Sequence, residues 1–325
     1  MKLLLLLLWT SLAAFEPILI TPYPVVGYRE VPLDNQTLYL WYPVKADIVG
    51  TKSDSPIDVF KIAKDADFQK VPAPLIILSH GYFGNPHMLS WLIRAFVHNG
   101  FMVAAVEHKD LEGGAIQLDY WKRALDIKSI LDTVTKAPFD KIVDPNRIGL
   151  AGYSLGGMTA LWLIGGKVSN LENLIPTSEY AIQRDYSFAQ DAIKNINKDA
   201  WKKDYRDPRI KAAFIMAPAW TWVFDESSLK KVNIPVYLVA AEKDQILVSK
   251  NNAGKVHDLI PYSQYQLIPG KGGHYIFITA VGESNKNAMG RFSFVFEDDP
   301  EVDRAWIQSQ VSEEAVRFFW SALNI

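Results

Sequence analysis

The serine at position 154 lies in the pattern Gly152-Tyr153-Ser154-Leu155-Gly156. An apolar run beginning at Ile148 leads into this pattern, and an apolar helix is predicted to follow from about Met158 to Ile164. A serine at the tip of a tight strand–turn–helix presents its hydroxyl, and the flanking glycines leave room where strand and helix nearly touch. The spacing therefore predicts that Ser154 is a nucleophile.

A serine hydroxyl needs a base to take its proton, and that base must be oriented by a third group. Two histidines follow Ser154 in the chain. His257 lies within a predicted helix, where a surface position is expected. His274 lies in a glycine-rich loop just after the last predicted strand, from which an imidazole can reach back to the serine. His274 is therefore the predicted base.

The orienting acid is predicted to be Asp244, which closely follows a predicted strand at Val236–Ala240. Catalytic groups gather beyond the carboxyl ends of parallel strands. Glu242 and Asp225 remain rivals for this role. An aspartate a few residues after a strand is also a common helix cap, which is the alternative interpretation of Asp244.

An acyl-transfer site also needs two N–H groups that stabilise an oxyanion. One is predicted to be the backbone N–H of Leu155, which opens a helix. The other is predicted to be the backbone N–H of Tyr82, in the loop after a predicted strand at Leu75–Leu78. His80, in the same loop, is expected to shape the loop rather than act as the base.

Several aromatic side chains are predicted to gather at the rim of this site and to form an apolar substrate pocket. The predicted pocket residues are Phe83, Tyr153, Trp220, Trp222 and Tyr275. The sequence contains no metal-ligand set, no phosphate-binding loop and no dinucleotide fingerprint, so no metal and no cofactor are expected.

These residues must be positioned by a larger framework. Apolar strands that alternate with helices predict an α/β fold, with a mainly parallel sheet covered by helices on both faces. Residues 14–325 are predicted to form one domain, in which residues 45–72 are a surface loop. Residues 165–208 interrupt the alternation directly after the helix that follows Ser154, which predicts a helical cap insertion over the site.

Composition excludes several classes of function. Lysine and arginine number 34 against 36 aspartates and glutamates, and this balance, without a basic stripe, argues against nucleic acid as a partner. The chain contains no cysteine, which excludes disulfides, thiolate metal sites and a cysteine nucleophile.

The first residues are typical of a secretory signal. Lys2 precedes a leucine run, and Ser11-Leu12-Ala13 offers small residues for cleavage near Ala13. Residues 1–13 are therefore a predicted signal peptide, and the run is too short to span a bilayer. We expect a secreted or periplasmic protein with no integral membrane span in its mature form.

Six segments together resemble a known group. They are Leu78-Ser-His-Gly-Tyr-Phe-Gly84, Asn146-Arg-Ile-Gly-Leu-Ala-Gly-Tyr-Ser-Leu-Gly-Gly157, Asp207-Pro-Arg-Ile210, Ala217-Pro-Ala-Trp220, Glu242-Lys-Asp244 and Gly273-His-Tyr-Ile-Phe277. In this order they are similar to bacterial predicted dienelactone hydrolases, which are relatives of platelet-activating-factor acetylhydrolases in the α/β-hydrolase family. The resemblance implies an α/β-hydrolase fold, the triad Ser154, Asp244 and His274, and an oxyanion hole from Tyr82 and Leu155.

Two positions depart from those relatives. Dienelactone hydrolases use a cysteine nucleophile, which this chain lacks. The acetylhydrolases place their acid after the strand corresponding to Ala212–Met216, where this chain has Pro218.

The expected activity is a serine hydrolase that cleaves carboxylic esters through an acyl-enzyme intermediate. Its expected partner is a small-molecule or lipid ester. Two alternatives remain: a lipid hydrolase similar to phospholipase A2 or platelet-activating-factor acetylhydrolase, and a non-catalytic binding protein with the same fold.

Overall fold

The computed structural model describes residues 25–69, 71–112, 115–116, 118–175, 177–181, 193–194, 196–281, 286 and 290–325. The predicted signal peptide, residues 1–13, lies outside the described residues and stays a prediction. The predicted cap falls partly outside them, at residues 176, 182–192 and 195.

The described residues form twelve strands. They are β1 Val25–Leu33, β2 Gln36–Pro43, β3 Thr51–Lys52, β4 Lys61–Lys64, β5 Ala73–Ser79, β6 Met102–Val106, β7 Leu111–Glu112, β8 Ala115–Ile116, β9 Val143–Tyr153, β10 Ala212–Met216, β11 Val236–Ala241 and β12 Gln264–Ile268.

Ten of these strands form a single mixed sheet in the order β12-β11-β10-β9-β5-β6-β2-β1-β4-β3. Neighbouring strands from β12 through β6 run parallel, whereas β2 is antiparallel to both β6 and β1. Because parallel strands end at the same edge of a sheet, the loops after β5, β9, β11 and β12 meet there. Those four loops carry Tyr82, Ser154, Asp244 and His274.

The α-helices of the described residues are α1 Ser90–His98, α2 Trp121–Val134, α3 Leu155–Leu163, α4 Lys198–Trp201, α5 Glu226–Leu229, α6 Lys255–Leu259 and α7 Arg304–Ala322. One face of helix α2 is buried, and its residues recur at helical spacing with one charged member, Arg123. They are Arg123, Ala124, Ile127, Ile130, Leu131 and Val134. All nine residues of α3 are buried, which is consistent with its continuous apolar sequence.

The sheet separates two apolar cores, as the alternation of side chains in a strand requires. In β5, Leu75 and Ile77 pack on the face that α2 and α3 cover. Ile76 and Leu78 face the opposite core, which α1 and α7 cover. Helices therefore cover both faces, as predicted.

The structure corrects one detail of the predicted framework. Residues 45–72 were expected to form a surface loop, but β3 and β4 lie within them, and β4 pairs in parallel with β1. Its two buried residues, Ile62 and Ala63, are adjacent in sequence between two lysines, so the segment lacks the alternation that predicts a strand.

Trp201, in the described part of the predicted cap, packs in the core that α2 and α3 cover. Trp201 is fully buried and donates from its indole N–H to the carbonyl of Leu118 at 2.9 Å. A cap that controls access to the site stays a prediction.

Candidate active site

Ser154 occupies the turn between β9 and α3 in a backbone conformation that is rare for a side-chain-bearing residue, with φ 54° and ψ −114°. Such a conformation costs about 1–3 kcal/mol and persists because its surroundings hold it. The Ser154 N–H donates to the Met216 carbonyl at 2.9 Å, and the Ala219 N–H donates to the Ser154 carbonyl at 3.0 Å. The end of β10 therefore holds the turn in place.

The glycines on either side of Ser154 are required by contact. A Cβ on Gly152 would overlap the carbonyl of Gly156, and a Cβ on Gly156 would overlap the carbonyl of Ser79. These carbonyls belong to the backbone of α3 and of β5 and cannot move aside without disrupting the helix or the sheet, so the two glycines are required by the turn.

The structure brings Ser154, His274 and Asp244 together in one hydrogen-bonded chain. His274 Nε2 lies 3.0 Å from Ser154 Oγ, and His274 Nδ1 lies 2.7 Å from Asp244 Oδ2. The Nδ1–H donates to the carboxylate, which leaves Nε2 to accept the serine proton. The side chains of His274 and Asp244 are 4% and 1% exposed, so this chain is shielded from water.

Several backbone and side-chain groups fix the two partners of Ser154. Asp244 Oδ1 accepts the N–H groups of Ile246 at 2.8 Å and Leu247 at 2.7 Å. The His274 N–H donates to Gln245 Oε1 at 2.8 Å. Gln245 was not predicted from the sequence, although it directly follows the predicted acid.

The two predicted oxyanion donors lie in the loops that flank the serine. Leu155 is the first residue of α3, so its N–H has no acceptor within the helix. Tyr82 follows β5, in a loop whose next residue, Phe83, donates its N–H to Asp110 Oδ2 at 2.9 Å. Their role as the oxyanion hole stays a prediction.

Comparison with known proteins agrees with this architecture. A ferulic acid esterase from Streptomyces cinnamoneus superposes with a TM-score of 0.60 at 18% identity, covering 93% of this chain and 91% of that one. The chain has the α/β-hydrolase fold.

Two further comparisons concern this chain. The model of the family "Platelet-activating factor acetylhydrolase, isoform II" matches residues 60–128, which confirms the resemblance over that segment. A predicted CIB-like hydrolase from Thermoplasma acidophilum matches with a TM-score of 0.45 at 15% identity, covering 83% of this chain and 98% of that one. A search of curated protein sequences finds no significant match.

The rivals for the acid and the base lie elsewhere in the structure. Asp225 caps helix α5 by accepting the Ser228 N–H at 2.9 Å. Glu242 is exposed and accepts the Gly270 N–H at 3.2 Å. His257 Nδ1 lies 2.9 Å from the hydroxyl of Ser263.

The predicted pocket residues other than Tyr153 make ring contacts with one another or with residues of the site. The ring of Phe83 stacks on that of Tyr82 at 3.8 Å, and Trp220 stacks on Trp222 at 5.8 Å. Tyr275 lies edge-on to the His274 ring at 5.6 Å. Two aromatic residues that the sequence did not single out join them: Tyr120, 5.4 Å from Trp220, and Trp201, 6.1 Å from Trp220.

Tyr153 does not line an open pocket as predicted. It is buried, its hydroxyl donates to the His274 carbonyl at 3.0 Å, and its ring packs against those of His274 and Phe277. Successive strand residues point to opposite faces, so Tyr153, at the end of β9, packs in the core and supports the histidine.

A second Ser-His-Asp chain lies behind the serine turn. Ser79 Oγ is 2.9 Å from His108 Nε2, and His108 Nδ1 is 2.7 Å from Asp126 Oδ2. Ser79 is fully buried within the sheet, where it pairs with Gly152. No substrate can reach the Ser79 hydroxyl, so these three hydrogen-bonded side chains are part of the packing and not a second reaction centre.

Two buried histidines of this region make stability depend on pH. Burial, with the nearby charge of Arg123, lowers the pKa of both His80 and His108 well below the ordinary value of 6.5. The unfolded chain therefore takes up protons below pH 6.5 that the folded chain does not. Stability is full above that pH and falls as the pH decreases. The pKa of Asp126 is raised, chiefly by burial, so this carboxyl contributes in the opposite sense at pH values above its ordinary 3.8.

We expect the unfolding free energy to fall by about 1–3 kcal/mol between pH 7.5 and 5.5. Urea titrations at the two pH values measure it. A free energy that stays constant or rises on acidification would show that the two histidines are protonated in the folded state.

Within the described part of the chain, no helix is both long and apolar enough to cross a membrane. Over the same residues, no group of three or more histidine, aspartate or glutamate side chains is arranged to hold a metal ion.

Proposed function

We propose that this protein is a serine hydrolase that cleaves carboxylic esters through an acyl-enzyme intermediate. The observation that carries the proposal is the chain of contacts from Ser154 Oγ to His274 Nε2, at 3.0 Å, and from His274 Nδ1 to Asp244, at 2.7 Å. Its similarity to an esterase structure and to an acetylhydrolase family model supports a hydrolase that acts on esters.

The reaction begins when His274 Nε2 takes the proton of Ser154 and the serine oxygen attacks the ester carbonyl. Negative charge then develops on the carbonyl oxygen, where the N–H groups of Leu155 and Tyr82 would stabilise it. The tetrahedral intermediate collapses, His274 returns the proton to the departing alcohol, and the acyl group stays on Ser154. Water, activated by the same imidazole, then releases the acid and restores the serine.

Asp244 remains ionised throughout this sequence. It holds the imidazole in the tautomer that exposes Nε2 and stabilises the imidazolium that forms during attack. The reaction as proposed uses no cofactor.

The test is turnover of p-nitrophenyl acetate, butyrate and octanoate, followed together with the burst of p-nitrophenol. The proposal predicts a burst of about one equivalent per chain when deacylation is slower than acylation. A protein that binds these esters without releasing p-nitrophenol would instead be a binding protein with this fold.

A second candidate is a lipid hydrolase similar to platelet-activating-factor acetylhydrolase, favoured by the family match over residues 60–128. It is tested by comparing a phospholipid that carries a short sn-2 acyl group with a p-nitrophenyl ester of the same acyl group. The lipid hydrolase would be favoured if kcat/KM for the phospholipid were at least about ten-fold higher than for the p-nitrophenyl ester. That ratio corresponds to about 1.4 kcal/mol of additional transition-state stabilisation.

A further inference from the structure

Arg123 is the charged member of the buried face of α2, and each part of its guanidinium is bonded. Nε and Nη2 donate to the two oxygens of Asp110 at 2.9 and 2.6 Å. Nη1 donates to the His80 carbonyl at 2.7 Å, and Nη2 also reaches the Gly81 carbonyl at 3.2 Å. The side chains of Arg123 and Asp110 are 3% and 4% exposed, so the pair is held away from water.

These contacts converge on the peptide bond that precedes Tyr82. The Gly81 carbonyl and the Tyr82 N–H belong to one planar trans unit and point in opposite directions. A group that fixes the Gly81 carbonyl therefore fixes the direction of the Tyr82 N–H. Besides Arg123, the Gly81 carbonyl accepts His80 Nδ1–H at 2.7 Å and the Gly84 N–H at 3.2 Å.

The arginine–aspartate pair holds the loop on both sides of this peptide. Before it, Arg123 binds the His80 carbonyl. After it, Asp110 Oδ2 accepts the Phe83 N–H at 2.9 Å. Burial alone would raise the pKa of Asp110, but the Arg123 guanidinium lowers it below its ordinary value. The carboxylate therefore stays charged for both bonds.

We propose that Arg123, paired with Asp110, is a positioning residue for the oxyanion hole: it aims the Tyr82 N–H at the carbonyl oxygen of the bound ester. This positioning role rests on the proposed ester hydrolysis. It adds to that function a role in the reaction for a helix residue that does not touch the substrate. A donor aimed in advance costs no reorganisation when the charge develops, so its loss lowers kcat more than substrate affinity.

Arg123→Lys tests the assignment because lysine keeps a positive charge opposite Asp110. A single ammonium cannot form a bidentate pair with Asp110 and also reach two carbonyls. We expect kcat to fall by about 10- to 100-fold with KM changed by less than about three-fold, somewhat less than deleting an oxyanion donor outright. The inhibition constant of a trifluoromethyl ketone, whose adduct carries an oxyanion, should rise by the same factor as kcat/KM falls.

Arg304→Lys is the matched control. Arg304 is also buried, forms two bonds to Asp298 at 2.7 and 3.0 Å, and binds the carbonyls of Ile278 and Val295 at 3.0 Å each. It should lose stability to a similar extent while kcat stays within about three-fold. Equal losses of kcat in the two variants, or an unchanged inhibition constant in Arg123→Lys, would overturn the proposal.

Two substitutions of His80 provide a second test if Arg123→Lys does not fold. His80 Nδ1–H donates to the Gly81 carbonyl, while Nε2 accepts the His108 N–H at 2.9 Å. Asparagine can retain the first bond and glutamine the second. We expect His80→Gln to lose about ten-fold in kcat and His80→Asn to stay within about three-fold, because only the first bond orients the oxyanion peptide. The reverse order would contradict the proposal.

Wild-type turnover and covalent labelling of Ser154 are measured in the same series. If the wild type hydrolyses esters and the variants match it, the positioning role fails alone. If the wild type neither turns over nor labels, the proposed function fails, and the positioning role fails with it.

Discussion

Replacing Ser154 with alanine is expected to lower kcat for a p-nitrophenyl ester by at least about 10⁴-fold. The expectation follows from the 3.0 Å contact with His274 Nε2 and from the strained turn that presents the hydroxyl. Removing one atom from a 9% exposed side chain leaves the packing around it in place, so the thermal midpoint should change little. Steady-state kinetics together with thermal unfolding measures both quantities.

Ser263→Ala is the matched control, because Ser263 also contacts a histidine, His257, at 2.9 Å but has no place in the proposed reaction. Its kcat should stay within about three-fold of the wild type, as for a substitution remote from the chemistry. An alanine at position 154 that retained more than a tenth of the wild-type kcat would mean that another group attacks the ester.

The second large effect is expected at the acid. Asp244→Asn should lose about 10²–10⁴-fold in kcat with little change in KM. The amide can donate to His274 Nδ1 rather than accept from it, which favours the wrong tautomer. The carboxylate contacts Nδ1 at 2.7 Å and is 1% exposed, so water cannot take its place.

Asp225→Asn is the comparison, since Asp225 follows β10 and is a rival candidate for the acid. Here Asp225 caps α5, and the hydroxyl of Ser227 lowers the pKa of its carboxyl. Asparagine is also a good cap, so activity and stability should both stay close to wild type. If Asp225→Asn lost activity and Asp244→Asn kept it, the acid would belong to the earlier strand.

The sequence allowed the serine turn, the base and the acid to be predicted because each has a local signal. Ser154 has flanking glycines between a strand and a helix, and Asp244 and His274 each come shortly after a predicted strand. The parallel sheet then brings the three side chains to one edge, because its strands end there. Their distances of 2.7 and 3.0 Å could not be predicted, because they depend on the register of β9, β11 and β12.

The contacts of Arg123 illustrate what sequence patterns miss. In the sequence it interrupts an apolar helical face and could equally have been a solvent-exposed residue of α2. Its partners lie 13 to 43 positions away, in two different loops. No spacing rule connects such positions, so the network became visible only when β5, β6 and α2 were packed together.

Tyr153 was assigned wrongly for a related reason. It was predicted together with other aromatic residues as part of a substrate pocket, whereas its contacts with His274 and Phe277 place it in the core. Adjacency in sequence at the end of a strand means opposite directions in space. Ser154 follows the end of β9, and its turn conformation, with φ 54°, brings its side chain to His274 instead.

The central claim is that Ser154 carries the covalent intermediate, and a fluorophosphonate probe tests it most directly. After labelling and trypsin digestion, the modified peptide is identified by mass spectrometry. The account predicts one adduct per chain, on peptide 148–167, in which Ser154 is the only serine, and no adduct in Ser154→Ala. An adduct on any other peptide, or one that persists in Ser154→Ala, would contradict it.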